Sequence, residues 1–167
     1  MNIFYTSECP VESAHNLCKV HYTKMITESC QLLCTAHRQL SSDVPDVMYK
    51  ATHVNHPSNI WCRSSRDNYL WLYNHFKALS ELFYKYRGKH HACWLKLGEL
   101  LSEPPTTIPT KVFTQPPKCM PVNFSGISSD VAKCYKSYLT SKYKEWQSRD
   151  RVVEVEYPQG FPEWLSI

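Results

Sequence analysis

The sequence feature that most constrains the fold is a long helical periodicity from about residue 11 to residue 40. Residues three and four apart share one face of a helix. One face of this segment is apolar, as a buried helix requires, and carries Tyr22, Met25, Ile26, Leu32, Leu33 and Ala36. A second face is a polar stripe with spacings of 3, 4, 3, 4 and 3, made of His21, Lys24, Glu28, Gln31, Thr35 and Arg38. We therefore predict one long helix with a buried face and a polar face.

The polar stripe has two interpretations. In the first it is a solvated surface, with Lys24 and Glu28 as an ordinary i,i+4 pair worth a few tenths of a kcal/mol, or a polar network bracing other helices. In the second it is a functional site, because it holds six different polar groups instead of repeated Glu and Lys. Lys24 would then be a nucleophilic amine or a phosphate contact, and Glu28 and His21 would move protons. Arg38 would offer a two-pronged contact to phosphate.

The remaining periodic segments predict an all-helical framework. A helix is expected from Ser65 or Asp67 to Arg87, with Gly88 as its stop. A shorter helix follows and ends at Pro104, and a last helix begins at Ser128 or Ser129. Residues 103–127 are rich in proline and form a surface loop, a kind of segment that is often functional.

These elements predict the fold class. We expect a mainly α protein in which residues 1–167 form a single compact domain of about four to five helices. The alternating tail, residues 151–157, is compatible with an edge strand that pairs with residues 2–5 in a small two-stranded ribbon.

Composition narrows the classes of function and location. Apolar residues make up 43% of the chain, which excludes general disorder. The net charge is +4, and residues 50–99 hold eight Lys or Arg against three acids, a balance compatible with a polyanionic partner such as nucleic acid. No stretch is long and apolar enough for a membrane span or a secretory signal. We expect a cytoplasmic protein with reduced cysteines and no membrane partner; the oligomeric state stays open.

A second set of polar and aromatic residues lies at the entry to the helical segments after residue 52. The set comprises His53, Asn55, His56, Trp61, Arg63, Asn68, Tyr69 and Trp71. Pro57 suits the first turn of a helix and Asn55 is the expected cap. Helix N-termini bind anions, and aromatic rings stack on bases, so this segment predicts a substrate-binding region. The alternative is that the tryptophans are core and the histidines cap the helix.

Motifs for metals and common cofactors are missing. Three groupings have metal-binding residue types, namely His15 with Cys18, His53 with His56, and His90 and His91 with Cys93. None has the spacing of a known zinc motif. The chain also lacks a phosphate-cradling glycine loop and a GxSxG sequence. We therefore predict no metal and no cofactor, and a P-loop NTPase or an α/β-hydrolase is disfavoured.

The quoted motifs resemble a family of small proteins of tailed bacteriophages, sometimes labelled as pyrimidine-dimer DNA glycosylases. The resemblance covers most of the chain and is carried by residues 1–4, 18–38 and 52–72, then by Met120-Pro121, Tyr135, Tyr138, Lys142 and the closing Pro162-Glu163-Trp164. The chain departs from the family pattern at Lys19-Val20, where an acid and a lysine are expected, and at Val122-Asn123-Phe124, which replaces an acidic turn. The resemblance implies a phage protein in the host cytoplasm with a shared polar site.

Three functions follow as hypotheses. The leading one is a DNA base-excision glycosylase or lyase that extrudes a damaged or modified pyrimidine and holds it against Trp61, Tyr69 or Trp71. In it Arg38, Arg63 and Asn68 would contact phosphate or a base edge. The alternatives are an enzyme acting on nucleotides or modified bases, and a non-catalytic module that binds nucleic acid or a host protein. All depend on one expectation, that the polar stripe and the His53–Asn68 segment line a shared cleft.

Overall fold

The computed structural model describes all of residues 1–167 and is built from helices alone. In chain order they are α1 Pro10–His15, α2 Lys19–Leu40, α3 Pro57–Ser64, α4 Arg66–Arg87, α5 Ala92–Leu97, α6 Val122–Ser125 and α7 Val131–Gln147, with a 3-10 turn at Leu100–Ser102. The predicted mainly α class is therefore confirmed, with seven α-helices, four of which exceed six residues. None of them is both long and apolar enough to cross a membrane.

The predicted two-stranded ribbon is wrong, because the structure has no strand. The tail instead covers the start of α2. There Lys19 donates its backbone N–H to the backbone carbonyl of Glu156, and its ammonium pairs with the side-chain carboxylate of Glu156 at 2.6 Å. Residues 2–5 are tied elsewhere, since the backbone N–H of Asn2 is bound by Glu28 and Phe4 adopts a positive φ of 54°. A left-handed residue in the middle of the run prevents a regular strand.

The single helix expected from residue 11 to residue 40 is also wrong, since the chain breaks between His15 and Lys19. Leu17 and Cys18 are fully buried at the break. The tail supplies hydrogen-bond donors for the free backbone carbonyls at the break, because Gln159 Nε2 donates to the carbonyls of His15 and Leu17 at 2.9 Å. A helix break needs partners for its free carbonyls, and these partners come from residues more than 140 positions away.

The predicted ends of α4 are confirmed and two predicted caps are wrong. Ser65 caps α4 and Gly88 ends it in a left-handed conformation with φ of 67°. Pro57 does open α3, but the capping side chain is His56, whose ring accepts the N–H of Ser58, and not Asn55. Helix α7 is capped by Asp130, which accepts from two backbone N–H groups, and not by Ser128 or Ser129. A carboxylate competes well for these N–H groups because it also favours the helix dipole.

Helices α2 and α4 pack against each other and form the centre of a core of 36 buried residues. Helix α1 packs on α4, and α3 bridges α2 and α4. Helix α7 joins this core through Tyr135, Leu139, Tyr143 and Trp146. The stretch 103–127 wraps around α3 and α4, where Trp61 donates to the carbonyl of Thr114. All eight cysteines are free thiols.

Candidate functional site

The site begins at Glu28, midway along the polar stripe of α2. Its side chain is only 15% exposed, and its two oxygens have different partners. Oε2 accepts the backbone N–H of Asn2 at 2.8 Å, and Oε1 lies 3.3 Å from the Nζ of Lys24. Helical spacing places Lys24 one turn before Glu28 on the same face. Glu28 therefore connects a solvent-exposed amine to the amino-terminal segment of the chain.

Asn2 links this carboxylate to the proline-rich loop and to α7. Its side-chain amide donates to the carbonyl of Cys119 at 2.7 Å, and its Oδ1 accepts from the hydroxyl of Tyr135 at 2.8 Å. The same hydroxyl accepts the backbone N–H of Cys119 at 3.1 Å. Burial raises the pKa of Tyr135, so this hydroxyl stays protonated and can donate. These bonds hold residues 1–2 and 117–121 beside one another.

A cavity of about 540 Å³ opens between these segments. The residues that line it are Met1, His56, Pro57, Pro117, Lys118, Cys119, Met120, Pro121 and Tyr138. Its size falls within the range of small-ligand sites, and its walls mix apolar and polar groups in the way such sites do. Lys118 is committed to the fold, because its ammonium donates to the carbonyls of Ser125 and Ser128. Lys118 is therefore not free to bind a ligand, and the other polar side chains of the lining belong to His56, Cys119 and Tyr138.

His56 is the sequence-predicted residue that reaches this cavity. Its Nδ1 accepts the N–H of Ser58 at 3.2 Å, so a neutral ring carries its proton on Nε2. Burial lowers its pKa, with further lowering by the amino group of Met1 and by His53 and a smaller opposing effect of Glu28. The ring is thus a neutral hydrogen-bond donor near pH 7.

The turn before His56 is held by buried Asn59. Asn59 Nδ2 donates to the carbonyls of Thr52 and His53 at 2.9 and 2.8 Å, and His53 has a positive φ of 47°. Thr35 of α2 also accepts the N–H of Thr52 at 3.2 Å. His53 and Asn55 are exposed at the surface of this turn, and Gln31 is half-buried on α2. Thr35 of the polar stripe therefore contacts the turn before His56, but no residue of the stripe lines the cavity at His56, so the expected shared cleft stays a prediction.

His21 is buried and faces α7. Its ring lies 4.5 Å from that of Phe4, and its Nδ1 is 2.7 Å from the hydroxyl of Tyr143. Burial lowers its pKa to about 3, with smaller contributions from Lys142 and Lys24. It is therefore a neutral group at physiological pH, and only 3% of it is exposed.

The two arginines of the predicted site bind backbone carbonyls. Arg38 donates to the carbonyls of Pro45, Met48 and Tyr49 at 2.8–3.4 Å. Arg63 donates to the carbonyl of Val54 at 2.7 Å. Both side chains thus hold loops in this structure, and their predicted phosphate contacts remain predictions.

The predicted aromatic platform lies inside the protein. Trp61, Tyr69 and Trp71 are each less than 10% exposed, and their polar atoms donate to the carbonyls of Thr114, Leu101 and Glu8. Asn68 is fully buried beside these rings. Its side chain accepts the backbone N–H of Thr114 and donates to the carbonyl of Trp61 and the hydroxyl of Ser64. None of these four residues lines the cavity at His56, and stacking on them would need the core to open.

Two residues at the site, Asn2 and Tyr138, were not among the predicted site residues, although both lie in segments that carry the family resemblance. The partners of Asn2 lie 26 to 133 positions away, and periodicity carries no information about such pairings. The local signal for Tyr138 is its place on α7, one turn from Lys142, whose ammonium sits 5.4 Å from its ring.

The side chains present limit what the site can hold, because no three His, Cys, Asp or Glu side chains are arranged to hold a metal ion.

A larger cavity of about 650 Å³ lies at the far end of α2, lined by His37, Asp43, Glu103 and their neighbours, and it contains none of the sequence-predicted site residues. The smaller cavity is the better candidate because it adjoins Asn2, the residue that Glu28 holds.

Comparison of the chain with protein-family models, curated proteins and solved structures finds no significant match in any of the three. The site must therefore be interpreted from its own geometry.

Proposed function

We propose that the protein is a DNA-acting enzyme, a base-excision glycosylase with lyase activity on a damaged or modified pyrimidine. The observation that carries the proposal is the Lys24–Glu28 pair, with Nζ 3.3 Å from Oε1, joined through Asn2 to a cavity of about 540 Å³. Such enzymes need an amine beside a proton acceptor and a recess for an extruded base. Within the proposed site these parts belong to α2, the amino-terminal segment and the loop at 117–121.

In the proposed reaction, Glu28 takes a proton from Lys24 and leaves a neutral amine. The amine attacks C1′ of the deoxyribose, the bond from C1′ to the base breaks, and the leaving base takes the proton held by Glu28. One proton of the attached amine then moves to the ring oxygen O4′ as the bond from C1′ to O4′ breaks, which gives a protonated imine between Lys24 and C1′. Loss of a C2′ proton to Glu28 and departure of the 3′ phosphate finally cleave the strand by β-elimination. The exposure of Lys24, 65% for its side chain, leaves it accessible to a DNA backbone.

The cavity is proposed to receive the extruded pyrimidine. Tyr138 supplies an aromatic ring at its wall, and the Nε2–H of His56 donates to a base oxygen or ring nitrogen. This replaces the sequence-based proposal that Trp61, Tyr69 or Trp71 stacks on the base, because those rings are buried in the core.

A second candidate is an enzyme acting on a free nucleotide or modified base. The size of the cavity favours it, since about 540 Å³ accommodates one nucleotide without any duplex. The two candidates differ in their affinity for duplex DNA. A glycosylase should bind duplex DNA measurably, with an affinity that falls steeply as salt increases, whereas a nucleotide enzyme should not.

The test is strand cleavage of duplex oligonucleotides that carry either a cyclobutane pyrimidine dimer or an abasic site. We expect wild-type protein and the control Lys77→Ala, an exposed lysine on α4, to cleave equally. We expect Lys24→Ala and Glu28→Gln to lose at least about 100-fold in rate. Cleavage by Lys24→Ala at the wild-type rate would remove the proposed nucleophile. No cleavage by folded wild-type protein would refute the proposal in favour of the nucleotide enzyme or of a binding module.

A further inference from the structure

A second cavity, of about 420 Å³, lies on the outer face of α7. Five of its lining residues come from two turns of that helix, namely Lys136, Ser137, Thr140, Ser141 and Lys144. Spacings of four residues align Lys136, Thr140 and Lys144 in one row and Ser137 and Ser141 in the next. The helix therefore lines one recess with two ammonium groups and three hydroxyl groups, of which the Thr140 hydroxyl already donates to the backbone carbonyl of Lys136 at 2.9 Å.

The two lysines are free of acidic partners. The three ion pairs of the protein are Lys19–Glu156, Lys24–Glu28 and Arg149–Glu145, and neither Lys136 nor Lys144 belongs to one. No acidic residue lines the cavity. Glu12 and Glu163 line an adjoining cavity that shares Lys136 and Trp164. Ammonium and hydroxyl donors without a carboxylate form a favourable setting for a phosphate group.

The remaining two walls are aromatic. Phe124 of α6 and Trp164 of the tail both line the recess. The Nζ of Lys136 lies 5.9 Å from the ring centroid of Trp164, within cation–π range. The indole N–H of Trp164 is buried and has no hydrogen-bond acceptor in the protein. A buried donor without a partner is uncommon, and aromatic walls suit the flat face of a base.

We propose that this cavity binds a nucleotide unit, with its phosphate at Lys136 and Lys144 and its base against Trp164 and Phe124. The ligand chemistry is a phosphate ester joined to an aromatic ring, either as a free nucleotide or as one residue of a single strand. The site is separate from the Lys24–Glu28 pair, so the inference goes beyond the proposed reaction and does not require it.

The position of the cavity gives the single strand a route to the first site. The rings of Phe124 and Tyr138 lie 5.4 Å apart, and Tyr138 lines the cavity beside His56 while Phe124 lines this one. The two recesses are thus separated by a single pair of aromatic side chains.

The experiment measures binding to full-length protein. Fluorescence anisotropy with labelled oligo(dT) gives the dissociation constant for a single strand. Calorimetry gives the dissociation constants of the mononucleotide thymidine monophosphate and of its two components, thymidine and inorganic phosphate. The double variant Lys136→Gln/Lys144→Gln is compared with Lys77→Gln/Lys133→Gln, which removes the same charge from exposed positions outside the cavity. Gln and Lys have similar helix propensity, so both pairs should fold, and circular dichroism checks this.

We expect the cavity variant to bind oligo(dT) at least tenfold more weakly than the matched control. Its plot of log K against log salt should be shallower by about 0.7, because the contact to one neutralised phosphate is lost. Trp164→Ala should weaken binding of thymidine monophosphate while leaving inorganic phosphate unaffected. Tight binding of the mononucleotide identifies a free nucleotide as the ligand, and binding of oligo(dT) alone identifies a strand; both support the site. Equal affinities of cavity variant and control, or no binding of any nucleotide at millimolar concentration, would overturn it.

Discussion

Glu28 accepts a hydrogen bond from the backbone N–H of Asn2 at 2.8 Å, and this contact joins α2 to a segment 26 residues earlier in the chain. The same carboxylate pairs with Lys24 at 3.3 Å. One side chain therefore has a structural oxygen and an oxygen available for chemistry. Substitutions that separate the two roles are the clearest way to analyse the site.

Glu28→Gln and Glu28→Ala should differ in stability while sharing a loss of activity. The amide of Gln can still accept from Asn2, so we expect less than about 1 kcal/mol of destabilisation. Ala leaves the Asn2 N–H without a partner in a half-buried place, which costs about 1–3 kcal/mol. Urea denaturation measures both values. Equal stability of the two variants would show that the Asn2 contact contributes nothing.

Arg38→Met should destabilise the protein by about 1.5–3 kcal/mol, because the guanidinium donates to the carbonyls of Pro45, Met48 and Tyr49. Met keeps the length of the side chain and removes the donors. The matched control is Gln39→Met, at the next and exposed position of α2. A variant with unchanged melting temperature but weakened DNA binding would instead support the phosphate contact predicted from the sequence.

Asn68→Ala should destabilise the protein by about 2–4 kcal/mol, since this fully buried amide connects α3, α4 and the loop at Thr114. We expect the urea midpoint to fall with an unchanged m-value. Asn74→Ala, at an exposed position of α4, is the control and should change stability by less than about 0.5 kcal/mol. A loss of activity without a loss of stability would indicate a direct role for Asn68 in substrate binding.

Stability should fall as the pH is lowered from about 6.5 towards 4. Burial lowers the pKa of His21 to about 3 and that of His75 to about 4, although the hydrogen bond from His75 to Pro10 partly opposes the second shift. In this range the unfolded chain binds protons that the folded protein does not, so each histidine lowers the free energy of unfolding by up to about 1.4 kcal/mol per pH unit. Above about pH 7.5 both histidines are neutral in the unfolded chain as well, so neither contributes a slope.

His75→Phe should reduce the slope of the free energy of unfolding against pH by the contribution of one histidine. The measurement is urea denaturation at half-unit steps between pH 4 and pH 7.5, with the exposed His90→Phe as control. Parallel curves for His75→Phe and wild-type protein would mean that His75 is already protonated in the folded state.

The helical segments were predictable from the sequence because each follows a local rule. The stop of α4 at Gly88 and the start of α3 at Pro57 depend on one residue and its immediate neighbours. The break between α1 and α2 was not predictable, since Gln159 and Glu156 of the distant tail satisfy it. The absence of the predicted ribbon was not predictable either, because the tail residues with an alternating sequence pattern pack over α2 instead.

The candidate site was predictable only in part. Helical spacing placed Lys24 next to Glu28 correctly. Composition could not distinguish Trp61, Trp71 and Asn68 at a binding surface from the same residues satisfied inside a core. Polar groups next to aromatic rings occur in both settings, and only the long-range partners, such as Thr114, separate them.

The most direct test of the central proposal is borohydride trapping on DNA that carries an abasic site, followed by mapping of the cross-linked peptide. Reduction fixes the imine between the reacting amine and C1′. We predict one covalent adduct, located on the peptide that contains Lys24, present in Lys77→Ala and absent in Lys24→Ala. An adduct at the wild-type level in Lys24→Ala, or no adduct with folded wild-type protein, would contradict the proposal.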